Sequence, residues 1–246
     1  MGRERIDRLL VEQGFAESRT KAQAMVMAGV VLVDEKRVEK PSEQFEPDRE
    51  IRIKGESPES RYASRAGLKL EKALDEFHIC VDGYVCLDIG SSTGGFTDCL
   101  LSKGASKVYA VDSGTNQMIW RLRNDERVVL MENTNARHLT RYEVPEDVDL
   151  ITIDVSFISA KLVLESSIDF LKDGGRVVLL VKPQFEVGKG EVGKGGIVRD
   201  EELHEKVILE LTEFAEELGL KRTGLVESPI EGASGNREFL LLLEKN

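Results

Sequence analysis

Between residues 85 and 243, short apolar runs recur with helix-length stretches between them, and no other feature narrows the possible folds as far. Runs at 85–89, 107–111, 128–131, 150–154, 176–181, 223–227 and 239–243 have the length and apolar content of strands. Helical patterns cover 97–101, 158–171 and 201–218, and another at 64–77 precedes the first strand. Strands alternating with helices predict an α/β fold with a largely parallel sheet. The run at 177–181 is apolar at every position, as burial on both faces requires. Residues 228–238 carry no helical pattern, so the last two strands form a hairpin and the final one runs antiparallel to its neighbour.

The first 60 residues read differently. A helical pattern from Arg5 breaks at Gly14, and Ser18 is placed to cap a second helix reaching Met27. The apolar residues at 30–33, a turn at Asp34-Glu35-Lys36 and the run Ile51-Arg52-Ile53 predict a small sheet. Residues 54–60, polar with Gly and Pro, read as a linker that divides the chain into 1–60 and 61–246.

No apolar run approaches the ~20 residues of a membrane helix, and the start lacks the apolar core of a signal peptide. A cytoplasmic protein is expected. Cys80, Cys86 and Cys99 are odd in number and lie in helix or strand patterns, so they are read as reduced core residues. His78, His138 and His204 share no ligand-like spacing with them, and no metal is expected. The net charge of −11 excludes a uniformly basic coat but not a local basic patch for nucleic acid.

The segment DIGSSTGGFTDCL, residues 88–100, places glycines between the first strand of the sheet and a helix. It lacks the lysine of a phosphate-binding P-loop, and Ser92 stands where a dinucleotide loop needs glycine. Asp88 would repel a pyrophosphate but attract a cationic ligand, directly or through water. S-adenosylmethionine fits: it has no phosphate, and it carries an ammonium and a sulfonium. Gly90, Ser91, Ser92, Thr93, Gly94 and Gly95 form its candidate loop. Asp112 closes the next strand 24 residues after Asp88, close to the spacing of an acid on ribose hydroxyls. Asn133, Asn135 and Ala136, after the third strand, are placed for the adenine.

The methyl acceptor must be read elsewhere. No cysteine follows the fourth strand, as C5-pyrimidine chemistry needs. Residues 154–157, DVSF, keep the ends of the Asp-Pro-Pro-aromatic motif of amine methylation but neither proline. A ribose 2'-hydroxyl needs a base and in-line positioning. Asp154 closes strand four, Lys182 strand five, Glu238 opens the last strand, and Lys69 lies on the helix before the sheet. Carboxyl ends of parallel strands and the amino end of an antiparallel one share an edge, so these groups can meet. A plainer reading makes Lys69 a surface residue of an amphipathic helix.

Two resemblances sharpen this. Residues 5–45, with Ser18, Arg19 and Ala22 in the second helix, resemble the S4 RNA-binding domain. That likeness implies RNA contacts at Arg5, Arg8, Arg19, Lys21, Lys36 and Arg37, although a solvated charged face is the plainer reading of charge alone. The seven strands with their hairpin ending look like the Rossmann-like fold of S-adenosylmethionine-dependent methyltransferases. Lys69, Asp154, Lys182 and Glu238 match in order the Lys-Asp-Lys-Glu tetrad of the FtsJ-like 2'-O-ribose methyltransferases. With SRAGLKL, DIGSSTGGFTD and an S4 unit ahead, the chain is similar to the TlyA family, also called haemolysin A. The resemblance implies methylation of cytidine 2'-hydroxyls in ribosomal RNA of the 30S subunit, the 50S subunit or both. A full first S4 helix leans toward both. It makes Lys182 the base or its assistant, Lys69 the orienting group, and Asp154 and Glu238 the holders of the lysines. Arg61 and Arg65 would extend the basic surface, and Lys189 and Lys194 would sit on an RNA-facing glycine-rich loop. The rivals are a membrane-active haemolysin and an S4-anchored RNA-binding protein without catalysis.

Overall fold

The computed structural model describes residues 3–16, 18–47, 49–53, 61–188, 190–232 and 235–246. The linker expected at 54–60 and Lys189 lie outside the described residues. The chain divides into two compact units, Met1–Arg61 and Tyr62–Asn246.

The smaller unit holds strand β1 (Glu4–Arg5), helices α1 (Ile6–Glu12) and α2 (Arg19–Met27), and strands β2 (Val31–Val33), β3 (Lys36–Arg37), β4 (Gln44–Phe45) and β5 (Ile51–Ile53). Its three-stranded sheet has the order β3-β2-β5, all antiparallel. Ile6, Leu9, Leu10, Ala22 and Val26 on the helices pack with Val31, Val33 and Ile53 of that sheet. Ser18 caps α2 by accepting a hydrogen bond from the Lys21 amide at 3.3 Å. The β2–β3 turn holds both Asp34 and Glu35 at positive φ, the geometry of a tight hairpin. A second ribbon pairs β1 with β4; two residues per strand carry too little pattern to be read from sequence.

The larger unit contains a seven-stranded sheet: β6 (Val85–Ile89), β7 (Lys107–Val111), β8 (Val128–Met131), β9 (Val148–Ile153), β10 (Leu171–Val181), β11 (Leu220–Glu227) and β12 (Phe239–Lys245). Its order is β11-β12-β10-β9-β6-β7-β8, with β12 antiparallel to both neighbours. Helices α3 (Ala66–Glu76), α4 (Gly95–Ser102), α5 (Trp120–Arg123), α6 (Ala160–Ser167), α7 (Pro183–Glu186) and α8 (Glu201–Glu217) complete it. Alternate β10 residues feed opposite faces. Val177, Leu179 and Val181 join the core containing Val163, Leu164, Val207 and Leu211 from α6 and α8. Val178 and Leu180 join Leu70, Leu74 and Leu100 from α3 and α4. Burial on both faces explains why these strands are apolar throughout.

One expected boundary moves substantially. The helix predicted to run to 171 ends at Ser167, and a short 3-10 turn follows to Phe170. Leu171 already pairs with Val148, and the register shifts before Arg176, where Gly174 takes φ +71°. The Gly174-Gly175 irregularity hides the first half of β10 from a periodicity reading.

Candidate active site

The site is built at the carboxyl edge of the sheet, where β6 lies between β9 and β7 and the strand order reverses. After Ile89 the chain turns sharply. Gly90 has φ +86°, and a Cβ there would lie 2.2 Å from the Asp154 carbonyl oxygen. Gly94, at φ +101°, starts α4, and a Cβ there would lie 2.3 Å from Leu122 Cδ1. Gly95 abuts Ser64, whose Oγ would meet an added Cβ at 2.4 Å. Asp98 accepts a hydrogen bond from the Ala63 amide at 2.7 Å and pairs with Arg121, fastening the segment before α3 to the loop helix.

Two adjoining cavities open beside this turn. The larger, about 380 Å³, is lined by Gly90, Ser92, Asp112, Asn135, Ala136 and Asp154 among others. Asp112 accepts hydrogen bonds from the Ser92 amide at 2.8 Å and the Gly114 amide at 2.6 Å. The smaller, about 170 Å³, is lined by Ser91, Thr93, Gly95, Asp154, Ser156 and Lys182. The Ser91 hydroxyl is buried without a hydrogen-bond partner. Neither Asn133 nor Gly94 lines either cavity. Asn133 instead turns the chain at φ +52° and bonds its amide to the Gly114 carbonyl at 2.8 Å, leaving the lining position to Thr134.

Asp88 was expected to attract the ligand directly or through water, and its position does not favour the direct route. It is fully buried and lines neither cavity. Its carboxylate accepts hydrogen bonds from the Thr97 hydroxyl at 2.6 Å and the Thr152 hydroxyl at 2.9 Å. Burial pushes its pKa up to about 6, against the pull of those donors. The side chain therefore braces the loop from beneath, tying α4 to β9, and its charge reaches a ligand only through the loop.

The four tetrad candidates form two ion pairs. Lys182 Nζ stands 2.6 Å from Asp154 Oδ1 and donates to Ser156 Oγ at 2.8 Å. Lys69 Nζ donates to Glu238 Oε2 at 2.5 Å. Lys69 is 6% exposed and Glu238 2%, which excludes the surface reading of Lys69. Pairing of Val181 with Phe239 sets Lys182 beside Glu238 in the strand register. Asp154 and Lys182 face the smaller cavity, whereas Lys69 and Glu238 line neither. Gly232 leaves room for Glu238, since a Cβ would sit 2.0 Å from its Oε1.

Several lining residues escaped the sequence reading: Ser64, Ser113, Gln117, Thr134, Ser156 and Phe157. Phe157 is the most exposed of them at 91%, holds φ +64°, and tilts against Phe185 at 5.1 Å between ring centroids. Its signal was the aromatic ending of DVSF, considered only as a failed amine motif. Gln117 sits on a loop fixed by Glu132, which accepts hydrogen bonds from the Asn116 and Gln117 amides and pairs with Arg123. Burial opposes ionisation of Glu132, yet Arg123 and the backbone amides hold its pKa down to about 2. Among the described residues, no group of three His, Cys, Asp or Glu could hold a metal ion.

The candidate RNA residues are mostly at the surface but seldom isolated. Asp7 is fully buried and holds two of them, accepting from Arg5 Nε at 3.0 Å and Arg19 Nε at 2.9 Å. The Arg5 pair, followed by Gln23 and Arg19, keeps the Asp7 carboxyl far below the usual range despite burial. Arg8 pairs with Glu4 and Glu12 at 3.3 and 3.6 Å. Lys21, Lys36, Arg37, Arg61, Arg65 and Lys194 are exposed.

Comparison with known proteins agrees with this architecture. A family model described as FtsJ-like methyltransferase matches residues 62–245, and one described as S4 domain matches residues 4–51. The Mycobacterium tuberculosis 16S/23S rRNA (cytidine-2'-O)-methyltransferase TlyA is 44% identical over 241 residues, covering 98% of this chain and 90% of the relative. The Campylobacter jejuni 23S rRNA (cytidine-2'-O)-methyltransferase TlyA is 40% identical over 187 residues, covering 75% of this chain and 72% of the relative. A solved structure from Streptococcus thermophilus, named as a hemolysin, is 48% identical with TM-score 0.75, covering 100% of this chain and 90% of that one. With an S4 domain leading a seven-stranded sheet whose carboxyl edge bears these ion pairs, the chain belongs to the TlyA family of FtsJ-like methyltransferases.

Proposed function

We propose that this protein methylates the 2'-hydroxyl of cytidine in ribosomal RNA with S-adenosylmethionine, acting on both ribosomal subunits in the cytoplasm. The observation that carries this reading is the Asp154–Lys182 pair facing the same space as the glycine loop. The site suits that cofactor: it offers acids, an unpartnered Ser91 hydroxyl and a close backbone approach at Gly90, with no P-loop lysine. Asp112 would receive the ribose hydroxyls, Asn135 and Ala136 would border the adenine, and Ser91 to Gly95 would take the amino-acid end. Bound there, S-adenosylmethionine supplies an activated methyl group on a cationic sulfur.

The chain's own residues manage the acceptor. Lys182, paired as an ammonium with Asp154, first gives a proton to solvent. The neutral amine then receives the proton of the 2'-hydroxyl as the oxygen takes the methyl group, and the Asp154 carboxylate stabilises the ammonium that re-forms. Ser156 fixes the direction of Nζ. Lys69, held by Glu238, orients the same hydroxyl. Base assistance of this kind contributes ~10²–10⁴-fold, and alignment up to ~7–11 kcal/mol. Action on both subunits rests on the 44% identical relative named for 16S and 23S RNA.

The test is methyl transfer from labelled cofactor to unmodified 30S and 50S subunits, with the modified position mapped. Label on cytidine 2'-oxygens of both subunits is expected. Label on a base, on protein or nowhere would sink the reading, and label on one subunit would restrict it. As for a haemolytic role, no helix among the described residues is long and apolar enough to cross a membrane.

A further inference from the structure

The glycine-rich stretch 190–199 starts just beyond α7, which follows Lys182, and ends at α8. Its internal turns are closed by the Gly193 amide on the Ile197 carbonyl and the Gly196 amide on the Gly193 carbonyl, both at 3.1 Å. What holds it to the sheet is Asn236, 2% exposed and two residues before Glu238. The Asn236 side chain accepts from the Val198 amide at 3.0 Å and donates to the Gly196 carbonyl at 2.9 Å. A second hold comes from His204, whose Nε2 bonds to the Val198 carbonyl at 2.9 Å and whose ring packs on Phe239. The Asn236 carbonyl accepts from the Gly232 amide at 2.8 Å, and Gly232 is the residue against which the Glu238 carboxyl lies.

We propose that Asn236 is a positioning residue that couples the 190–199 loop to the Lys69–Glu238 pair. The inference rests on the proposed methyl transfer and adds a residue that touches neither substrate nor cofactor. Physically, a buried side-chain amide that satisfies the buried Val198 amide fixes the loop, because that group would otherwise be orphaned away from water, and the bond to the more exposed Gly196 carbonyl adds to the hold. The main-chain carbonyl of the same residue holds Gly232, against which the Glu238 carboxyl lies. Lys194 is exposed on the loop, so RNA bearing on it loads the Asn236 anchor and, through Gly232, the placement of Glu238. Lys69 follows, since its Nζ is bonded to that carboxylate.

The test compares full-length wild type and Asn236→Ala for rRNA methylation, cofactor binding by calorimetry, and trypsin cleavage at Lys194. Expected are kcat about 10-fold or more lower, since displacement of a positioning group costs up to ~10²-fold, an unchanged cofactor Kd, and faster cleavage at Lys194. In a Glu238→Gln background the same change should cost less than about 3-fold, the mark of two residues acting through one path. An opened loop with wild-type kcat, an unaltered loop, or a full additional loss in the Glu238→Gln background overturns the proposal. If Asn236→Ala loses cofactor binding, Asn236→Asp carries the test, because it keeps the acceptor facing the Val198 amide. Loss of cofactor binding there too assigns Asn236 to the fold alone and also overturns it. A wild-type protein inactive on ribosomal RNA would instead remove the proposed function, so the two failures are distinct.

Discussion

At the scale of single residues, Asp88 shows how a buried charge weakens the fold that holds it. Its pKa, raised by burial to about 6 from 3.8, means the folded state binds the proton more tightly than the unfolded one. The stability this group contributes is present below pH 3.8 and lost as pH rises through about 6, on the order of 3 kcal/mol. A cationic ligand above the loop favours the ionised form. Cofactor affinity should therefore weaken as pH falls below about 6. Asp88→Asn should raise Tm at pH 7, weaken cofactor binding and flatten its pH dependence, as calorimetry at pH 5 and 7 would read. Phe157, exposed at the cavity rim with strained φ, is placed to stack a base. Phe157→Ala should lower kcat/KM for RNA ~5–150-fold, matching ~1–3 kcal/mol of stacking, with a smaller effect on cofactor Kd, since the ring only borders that cavity, and without lowering Tm. An unchanged kcat/KM would take Phe157 out of the site.

At the scale of elements, the strand-to-helix turn at 90–95 is where backbone geometry decides function. Gly90 is required twice, by its positive φ and by the Asp154 carbonyl against it. Gly90→Ala should reduce cofactor affinity more than 100-fold by moving the turn against Asp154, and lower Tm, whereas Gly174→Ala, in open space, should leave cofactor binding intact. Calorimetry on both variants separates a site defect from general strain. Most strands were legible because apolar residues crowd strands buried on both faces. The two-residue ribbon β1–β4 and the first half of β10 were not, since pairing there is set by distant partners and by the Gly174-Gly175 irregularity.

At the scale of the whole molecule, a net charge of −11 coexists with arginines anchored on acids. RNA affinity should fall steeply between 50 and 200 mM salt, while cofactor affinity stays nearly constant. Arg8→Ala and Arg65→Ala should each reduce the salt slope by roughly one; a slope unchanged in both would place the RNA elsewhere. Sequence alone determined the order along the chain of the seven main strands and the longer helices, the glycine turn and the residue types at the strand ends. These are local: periodicity, turn chemistry and the position of a charge after an apolar run are properties of neighbours along the chain. Tertiary structure alone decided which lysine meets which carboxylate, that Asp88 points beneath the loop, that Phe157 stands in solvent and that Asn236 holds the 190–199 loop. Those facts depend on side-chain direction and on contacts between residues far apart in sequence, such as Lys69 and Glu238, which only the packed sheet brings within reach.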